Sequence, residues 1–268
     1  MKELHSLQGL IIDLDGVIWR GEKLLTGVLP FFNELHSRSI PYIFATNNAT
    51  TTPRKLCQRA HGLGFEMREE QIITSSQAAV SLLCQQLQEG AAIYVIGEEG
   101  IQEALEAAHF QLTHSADHAQ AVVVAMDRRV NWDKMAEAAY AIANGAIFLG
   151  TNSDPSFPTE RGFAPGNGAI LNALQLTTNV VPIVVGKPEP FLFLHALDHL
   201  GTKPEYTLVV GDRLTTDILG GINAGMMTAL LLTGVTSPEA LAESSIQPDF
   251  VYETLDVLVK SLRQEPKT

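Results

Sequence analysis

The stretch Gly9-Leu10-Ile11-Ile12-Asp13-Leu14-Asp15-Gly16 joins a short apolar run to two carboxylates. The apolar run has the length and branched content of a strand buried on both faces. In open parallel sheets ligands bind outside the carboxyl ends of the strands, which is where Asp13 and Asp15 follow. Their spacing by two places both side chains on the same side of an extended segment, and Gly16 allows a backbone turn directly after them. The stretch therefore predicts a reactive pair of acids.

Two alternatives compete with that interpretation of Asp13 and Asp15. A calcium-binding loop starting at Asp13 requires a glutamate near position 24, where the sequence has Leu24, so this alternative fails. A turn built on the side chains of the two acids stays open when this stretch is considered alone.

Further short apolar runs alternate with amphipathic stretches along the chain. This alternation predicts an α/β fold whose core is a Rossmann-like, doubly wound parallel sheet with right-handed crossovers. The predicted strands are Leu10–Ile12, Tyr42–Ala45, Ile93–Ile96, Ala121–Ala125, Ile147–Leu149, Ile183–Val185, Leu208–Val210 and Ala229–Leu232. The clearest predicted helices are Pro53–Leu63, Ser75–Leu87, Trp132–Asn144 and Pro190–Leu200.

The residues that suggest chemistry lie toward the two ends of the chain. We therefore predict a discontinuous core formed by residues 1–77 and 182–268. The middle, residues 78–181, forms a smaller α/β domain inserted into that core, because it has apolar runs and helices of its own.

Composition restricts the partners of this chain. The formal net charge is −12 and the isoelectric point about 5.0, which argues against nucleic acid and anionic membranes, since both select for Lys and Arg. Apolar runs are too short to cross a membrane, and no signal peptide is readable, so we expect a cytoplasmic protein with a small-molecule partner. Cys57 and Cys84 lack metal-ligand or redox spacing and are expected to be reduced thiols.

Three other predicted strands also end in groups suited to phosphate or metal. Thr46-Asn47-Asn48 offers a hydroxyl and two amides, Lys187 lies between Gly186 and Pro188, and Gly211-Asp212-Arg213 precedes Thr216-Asp217. Taken alone, these groups fit a helix N-cap, a solvated lysine and a second cap. Four strand ends with complementary chemistry favour one shared site.

These four elements resemble those of the haloacid dehalogenase superfamily, in its p-nitrophenylphosphatase (NagD-like) branch. That branch inserts an α/β cap between the second and third elements, which fits the spacing of this chain. The segments Gly150–Asp154 and Pro165–Ala169 resemble the connection from cap to core. The resemblance covers nearly the whole chain.

The resemblance implies a role for each matching residue. Asp13 is the expected nucleophile and Asp15 the general acid and base. Mg²⁺ is expected to be held by Asp13, Asp212 and the backbone carbonyl of Asp15, with Asp217 supporting these ligands. Lys187 is expected to neutralise the phosphoryl group and orient Asp13. The residues expected to bind phosphate are Thr46, Asn47, Asn48 and Lys187.

Two further segments receive roles from the same resemblance. Trp19, Arg20 and Gly21 fall in a flap after the first strand that helps to exclude water. The cap is expected to contact the leaving group, although a plain connecting loop with solvated side chains explains its polar residues equally well. The candidates are Asn152, Asp154 and Arg161.

The implied activity is Mg²⁺-dependent hydrolysis of small phosphate monoesters, such as sugar phosphates, through a phosphoryl-aspartate. p-Nitrophenyl phosphate is the expected artificial substrate. The alternatives are a phosphotransferase, another hydrolase of the superfamily and a non-catalytic protein that binds phosphorylated metabolites. A dinucleotide-dependent oxidoreductase is disfavoured, because Asp13-Leu14-Asp15-Gly16 stands where its glycine-rich turn would be. The leaving group stays open, and so does the oligomeric state, for which a homodimer is one option.

Overall fold

The computed structural model describes residues 4–159 and 161–264. Strands and helices alternate along most of this chain. The strands are β1 (Gly9–Ile12), β2 (Trp19–Arg20), β3 (Lys23–Leu24), β4 (Tyr42–Thr46), β5 (Ile72–Thr74), β6 (Ala92–Ile96), β7 (Gln111–Thr113), β8 (Ala121–Val124), β9 (Ile147–Gly150), β10 (Ser156–Thr159), β11 (Gly162–Pro165), β12 (Ile183–Val184), β13 (Thr207–Gly211), β14 (Met227–Leu231) and β15 (Phe250–Tyr252). The α-helices are α1 (Val28–Ser37), α2 (Pro53–Gly62), α3 (Ser75–Gln86), α4 (Glu99–Ala107), α5 (Trp132–Ala143), α6 (Asn167–Thr178), α7 (Pro190–Leu200), α8 (Leu219–Asn223), α9 (Pro238–Glu243) and α10 (Leu255–Gln264).

The first sheet has the order β15-β14-β13-β1-β4-β5. Its pairs β1/β13, β1/β4, β13/β14 and β14/β15 are parallel. β1 and β13 are buried along their whole length, as their apolar sequences require. From β1 the chain builds outward to β4 on one side and later to β13 on the other. This reversal is the switch point at which doubly wound sheets bind ligands, and Asp13 and Asp212 follow the two strands that meet there.

The second sheet has the order β12-β9-β8-β6-β7, and its neighbouring strands are parallel. Helices α5 and α6 pack on it through a buried cluster that includes Ile142, Phe148 and Leu171. A separate antiparallel hairpin joins β10 to β11. The two parallel sheets with their helices confirm the predicted α/β class and its Rossmann-like core sheet.

Contacts within the chain separate two compact units. The first unit comprises the described residues of Met1–Thr46, Cys57–Ile73 and Lys187–Thr268, and the second comprises Asn47–Leu56 and Thr74–Gly186. Residues 47–56, 74–77 and 182–186 thus lie in the second unit, whereas we predicted them in the core. For the last of these segments the reason is pairing, because β12 joins β9 in the second sheet. The roles of the units as catalytic core and cap stay predictions.

The predicted secondary structure is largely confirmed. Each predicted strand overlaps a strand of the structure, and the four predicted helices correspond to α2, α3, α5 and α7. Across residues 4–159 and 161–264, none of the helices has the length and apolar character that crossing a membrane would require.

Candidate active site

Strand β1 places Asp13 beside a buried lysine. The backbone N–H of Asp13 donates to the carbonyl of Val210 at 2.9 Å, which continues the pairing of β1 with β13 by one residue. One carboxylate oxygen of Asp13, Oδ1, accepts a hydrogen bond of 2.5 Å from Nζ of Lys187. The first and third predicted elements therefore meet in the first unit.

Lys187 is only 3% exposed and also contacts a second acid. Its Nζ donates to Oδ1 of Asp217 at 2.6 Å and to the carbonyl of Ala45 at 3.1 Å. Burial by itself lowers the pKa of Lys187, but the neighbouring carboxylates of Asp13 and Asp217 outweigh it and hold the pKa above its ordinary value. This lysine is therefore a fixed positive charge rather than the solvated surface lysine that the sequence alone allowed.

Asp212 follows β13 and is held by the loop after β14. Its Oδ2 accepts a hydrogen bond of 2.6 Å from the backbone N–H of Val235. Gly16 and Gly234 pack so closely against the carboxylate that a Cβ on either residue would overlap it. Gly16 also has a φ of +91°, a conformation that favours glycine.

Asp217 belongs to a π-helical turn, Leu214–Ile218, that directly follows Arg213. Its Oδ2 accepts a hydrogen bond of 3.1 Å from the backbone N–H of Arg213, and its Oδ1 accepts from Lys187. Both carboxylate oxygens are thereby engaged. This arrangement is compatible with the predicted supporting role of Asp217, which stays a prediction.

Asp13, Asp212 and Asp217 form a cluster suited to a divalent cation. One carboxylate oxygen from each lies within 4.8 Å of the others. Burial raises the pKa of Asp13 well above its ordinary value despite Lys187, and Asp217 and Asp212 raise it further. Burial and the charge of Asp217 raise the pKa of Asp212 to about 6. Three acids balanced by one ammonium leave a formal excess of negative charge, and hard carboxylate oxygens are the ligands that Mg²⁺ prefers. The residues therefore fit Mg²⁺.

The carboxylate of Asp15 points to different partners. Its Oδ1 accepts a hydrogen bond of 2.9 Å from Nε1 of Trp19 and lies 3.6 Å from an Nη atom of Arg59. The side chain of Asp15 is 59% exposed, unlike the buried acids of the cluster. A carboxylate outside the metal cluster is compatible with the predicted acid–base role of Asp15, which stays a prediction. The contribution of its backbone carbonyl to metal binding also stays a prediction.

The second predicted element is divided between the two units. Thr46 ends β4 in the first unit and is buried. Asn47 and Asn48 begin the second unit. There Oδ1 of Asn48 accepts hydrogen bonds from the backbone N–H and hydroxyl of Thr50, at 2.9 and 2.8 Å, which makes a local turn.

Two of the three predicted cap residues contact Asn47 within the second unit. Asn152 donates from Nδ2 to the backbone carbonyl of Asn47 at 3.0 Å, and Nδ2 of Asn47 donates to Oδ2 of Asp154 at 3.3 Å. Arg161 instead lies exposed at the turn between β10 and β11, where its backbone N–H donates to Oγ1 of Thr159. The first two residues thus shape the loop that carries Asn47.

The sequence analysis did not identify two contributions to the site. Arg59 lies within α2, where no motif marks it. Gly234 and Val235 lie in the loop after β14, and their contact with Asp212 depends on the sheet order. A glycine close after a predicted strand was the available signal for the second of these, and Arg59 offered none.

Residues 10–111 match the sequence model of the haloacid dehalogenase-like hydrolases, and residues 184–258 match that of the HAD-hydrolase-like proteins. A relative from Bacillus subtilis, the 5′-nucleotidase YutF, is 40% identical over 252 residues, which is 94% of this chain and 97% of the relative. The chain belongs to the haloacid dehalogenase-like hydrolase family. The predicted resemblance is thereby confirmed.

Solved structures of this hydrolase family also resemble the chain closely. The thermostable NPPase of Geobacillus stearothermophilus, solved as a double mutant, superposes with a TM-score of 0.87 at 41% identity, covering 94% of this chain and 97% of its own. A glycerol phosphate phosphatase from Mycobacterium tuberculosis, solved in complex with magnesium, gives a TM-score of 0.88 at 34% identity. That match covers 99% of this chain and 79% of the phosphatase.

Proposed function

We propose that this protein, a phosphoric monoester hydrolase with Mg²⁺ as its cofactor, acts through a phosphoryl-aspartate formed on Asp13. The observation that carries the proposal is the position of Asp13, at the carboxyl end of β1 and against the buried Nζ of Lys187. The names of the similar proteins describe a nucleotidase and phosphatases. Their substrates are small phosphate esters, and we assign this chain to the same class of substrate.

Repulsion is the first obstacle to the reaction. A carboxylate oxygen that approaches a phosphate at ~3.5 Å meets repulsion of roughly 5 kcal/mol per charge pair at an effective dielectric of 20. Lys187 places a fixed positive charge directly on the nucleophile. Asp13, Asp212 and the backbone carbonyl of Asp15 would hold Mg²⁺, which would supply positive charge to the transferring phosphoryl group. Asp217 keeps Lys187 in place from its other side.

Two transfers then complete one turnover. In the first, an oxygen of Asp13 forms a bond to phosphorus while the bond from phosphorus to the ester oxygen breaks, and Asp15 gives a proton to the departing oxygen. In the second, Asp15 takes a proton from water as that water attacks the phosphorus of phosphoryl-Asp13. Inorganic phosphate leaves, and Asp13 regains its carboxylate.

The remaining predicted residues bind the two parts of the ester. Thr46, Asn47 and Asn48 are proposed to donate hydrogen bonds to the phosphoryl oxygens without adding charge. Polar residues of the second unit are proposed to contact the leaving group and so to select among sugar phosphates and related metabolites. These residues are Asn152, Asp154 and Arg161. A cytoplasmic location and a homodimer also stay proposals, to be tested by cell fractionation and by sedimentation.

Release of inorganic phosphate from p-nitrophenyl phosphate tests the function. We expect turnover with Mg²⁺, loss of turnover with EDTA, and loss of turnover in Asp13→Asn. The control variant is Asp198→Asn, which removes an exposed acid of α7 and is expected to retain activity. A panel of phosphorylated metabolites, ranked by kcat/KM, then identifies the leaving group.

Two outcomes of that experiment would favour the alternatives. Transfer of the phosphoryl group to an added alcohol in preference to water would indicate a phosphotransferase. Saturable binding of phosphate esters with no phosphate released would indicate a non-catalytic binding protein.

A further inference from the structure

The carboxylate of Asp15 is held through one of its two oxygens. Oδ1 accepts the hydrogen bond from Nε1 of Trp19, at 2.9 Å, and faces the guanidinium of Arg59, at 3.6 Å. No described residue donates a hydrogen bond to Oδ2. The two oxygens of this exposed side chain therefore have different environments.

Trp19 reaches Asp15 because the intervening chain folds back tightly. The backbone N–H of Gly16 donates to the carbonyl of Trp19 at 2.8 Å, and that of Trp19 donates to the carbonyl of Leu14 at 3.3 Å. Trp19 itself is completely buried, so its indole has a fixed position. The Nε1–H of Trp19 is the polar edge of an otherwise apolar, buried ring, so it can orient the exposed carboxylate of Asp15.

Arg59, on helix α2, contacts both Trp19 and Asp15. Its guanidinium carbon lies 4.6 Å from the centroid of the Trp19 ring, a cation–π contact. One Nη atom donates to the carbonyl of Gly21 at 2.7 Å, which ties the arginine to the turn between β2 and β3. Its Nε is buried and lacks a hydrogen-bond partner among the described residues. A buried donor without a partner costs folding free energy, so stability alone does not explain this placement.

We propose that Arg59 and Trp19 are positioning residues for Asp15, and that they fix Oδ1 so that Oδ2 transfers the proton in both half-reactions. Without them the carboxylate of Asp15 would rotate among several orientations, because more than half of its surface is exposed. A proton-transfer group acts only from within hydrogen-bond reach of its partner atom, so each wrong orientation is an unproductive one. The proposal rests on the acid–base role of Asp15 proposed above.

The dependence of the rate on the leaving group tests this assignment. p-Nitrophenolate departs without a proton, whereas the alkoxide of glycerol phosphate requires one. Arg59→Gln and Trp19→Phe are therefore expected to lower kcat/KM for glycerol phosphate about tenfold more than for p-nitrophenyl phosphate. Trp19→Phe keeps an aromatic ring under Arg59 and removes the N–H that donates to Asp15, together with part of the buried ring system. Arg54→Gln, an exposed arginine of the same helix, is the matched control and is expected to lower neither rate.

A variant that merely disturbs the fold would slow both substrates alike, and thermal unfolding of each variant measures that disturbance. If Trp19→Phe lowers Tm, Arg59→Gln decides the question, since this side chain lies partly exposed on a helix. Equal losses of kcat/KM for the two substrates, with Tm unchanged, would overturn the proposal.

Combination with Asp15→Asn provides the second test. If Arg59 acts through Asp15, adding Arg59→Gln to Asp15→Asn should not lower kcat/KM further. A further loss of the size seen in the wild-type background would contradict the proposal. Full activity of Asp15→Asn alone would instead refute the proposed function of Asp15. Different outcomes therefore refute the acid–base role of Asp15 and the positioning role of Arg59.

Discussion

Lys187 lies with its Nζ 2.5 Å from Oδ1 of Asp13, although 174 positions separate the two residues in the chain. The ammonium is buried and is shared with Asp217 on its other side. A nucleophilic carboxylate needs a fixed orientation and relief from repulsion by phosphate, and this contact provides both. The proposed nucleophilic role of Asp13 depends on this contact.

Lys187→Met should remove the fixed positive charge while keeping the length of the side chain. We expect kcat/KM for p-nitrophenyl phosphate to fall roughly a hundredfold. This corresponds to a loss of about 3 kcal/mol of transition-state stabilisation, as for loss of one preorganised donor. Steady-state kinetics at saturating Mg²⁺ measures this loss. Lys260→Met, which removes an exposed lysine from α10, is the control. Activity of Lys187→Met equal to that of the control would refute the role of Lys187.

Gly234→Ala should weaken Mg²⁺ binding. A Cβ at this position would overlap the carboxylate of Asp212, so that carboxylate must move. Changes in residues that support metal ligands typically cost about 10- to 100-fold in affinity, and we expect a loss in that range. Calorimetric titration of the EDTA-treated, dialysed protein with Mg²⁺ measures it. Gly62→Ala is the control, because a Cβ there would meet no atom within 4 Å. Unchanged affinity in Gly234→Ala would show that Asp212 does not hold the metal.

Glu34→Gln should destabilise the protein in a pH-dependent way. Arg38 and Arg263 each donate to a carboxylate oxygen of Glu34 at 2.8 Å, and these hydrogen bonds hold the pKa of Glu34 below its ordinary value. A lowered pKa means that the stabilisation is present above the pKa of the unfolded chain, near 4.3, and is lost as pH falls through the folded value. We expect a loss of about 1–2 kcal/mol at pH 7, shrinking below about pH 4.

Urea unfolding of wild type and Glu34→Gln at neutral and acidic pH measures this difference. Glu22→Gln is the control, because it removes an exposed glutamate. The same loss for Glu34→Gln at both pH values would attribute the effect to packing rather than to charge.

The sheet and the acids of the candidate site were predictable from local sequence. A strand buried on both faces has a continuous apolar sequence, and the carboxyl ends of parallel strands meet at one edge of the sheet. The sequence alone therefore placed Asp13 and Asp212 together. The structure adds that Lys187 contacts Asp13 directly. The spacing between the two residues in the sequence could not show this contact, because a lysine that follows a strand can equally well extend into solvent.

Other features depended on packing that short patterns do not encode. The apolar run at β12 has the same appearance whichever sheet it joins, so its pairing with β9 was not predicted. The contact of Arg59 with Trp19 and Asp15 depends on where α2 packs, and an arginine in an amphipathic helix carries no local sign of it. Helix α6 was not among the clearest predicted helices, because Gly168 and the β-branched Thr177 and Thr178 weaken its helical pattern.

Chemical trapping of the intermediate tests whether Asp13 becomes phosphorylated during turnover. Asp15→Asn should accumulate phosphoryl-Asp13, because its hydrolysis lacks a base. The protein is mixed with substrate and Mg²⁺, quenched in acid, and reduced with borohydride, which converts an aspartyl-phosphate to homoserine. Peptide mass spectrometry then identifies the modified position. We expect homoserine at position 13, and none in a sample without substrate. An unmodified Asp13 in protein shown to turn over, or homoserine at another aspartate, would contradict it.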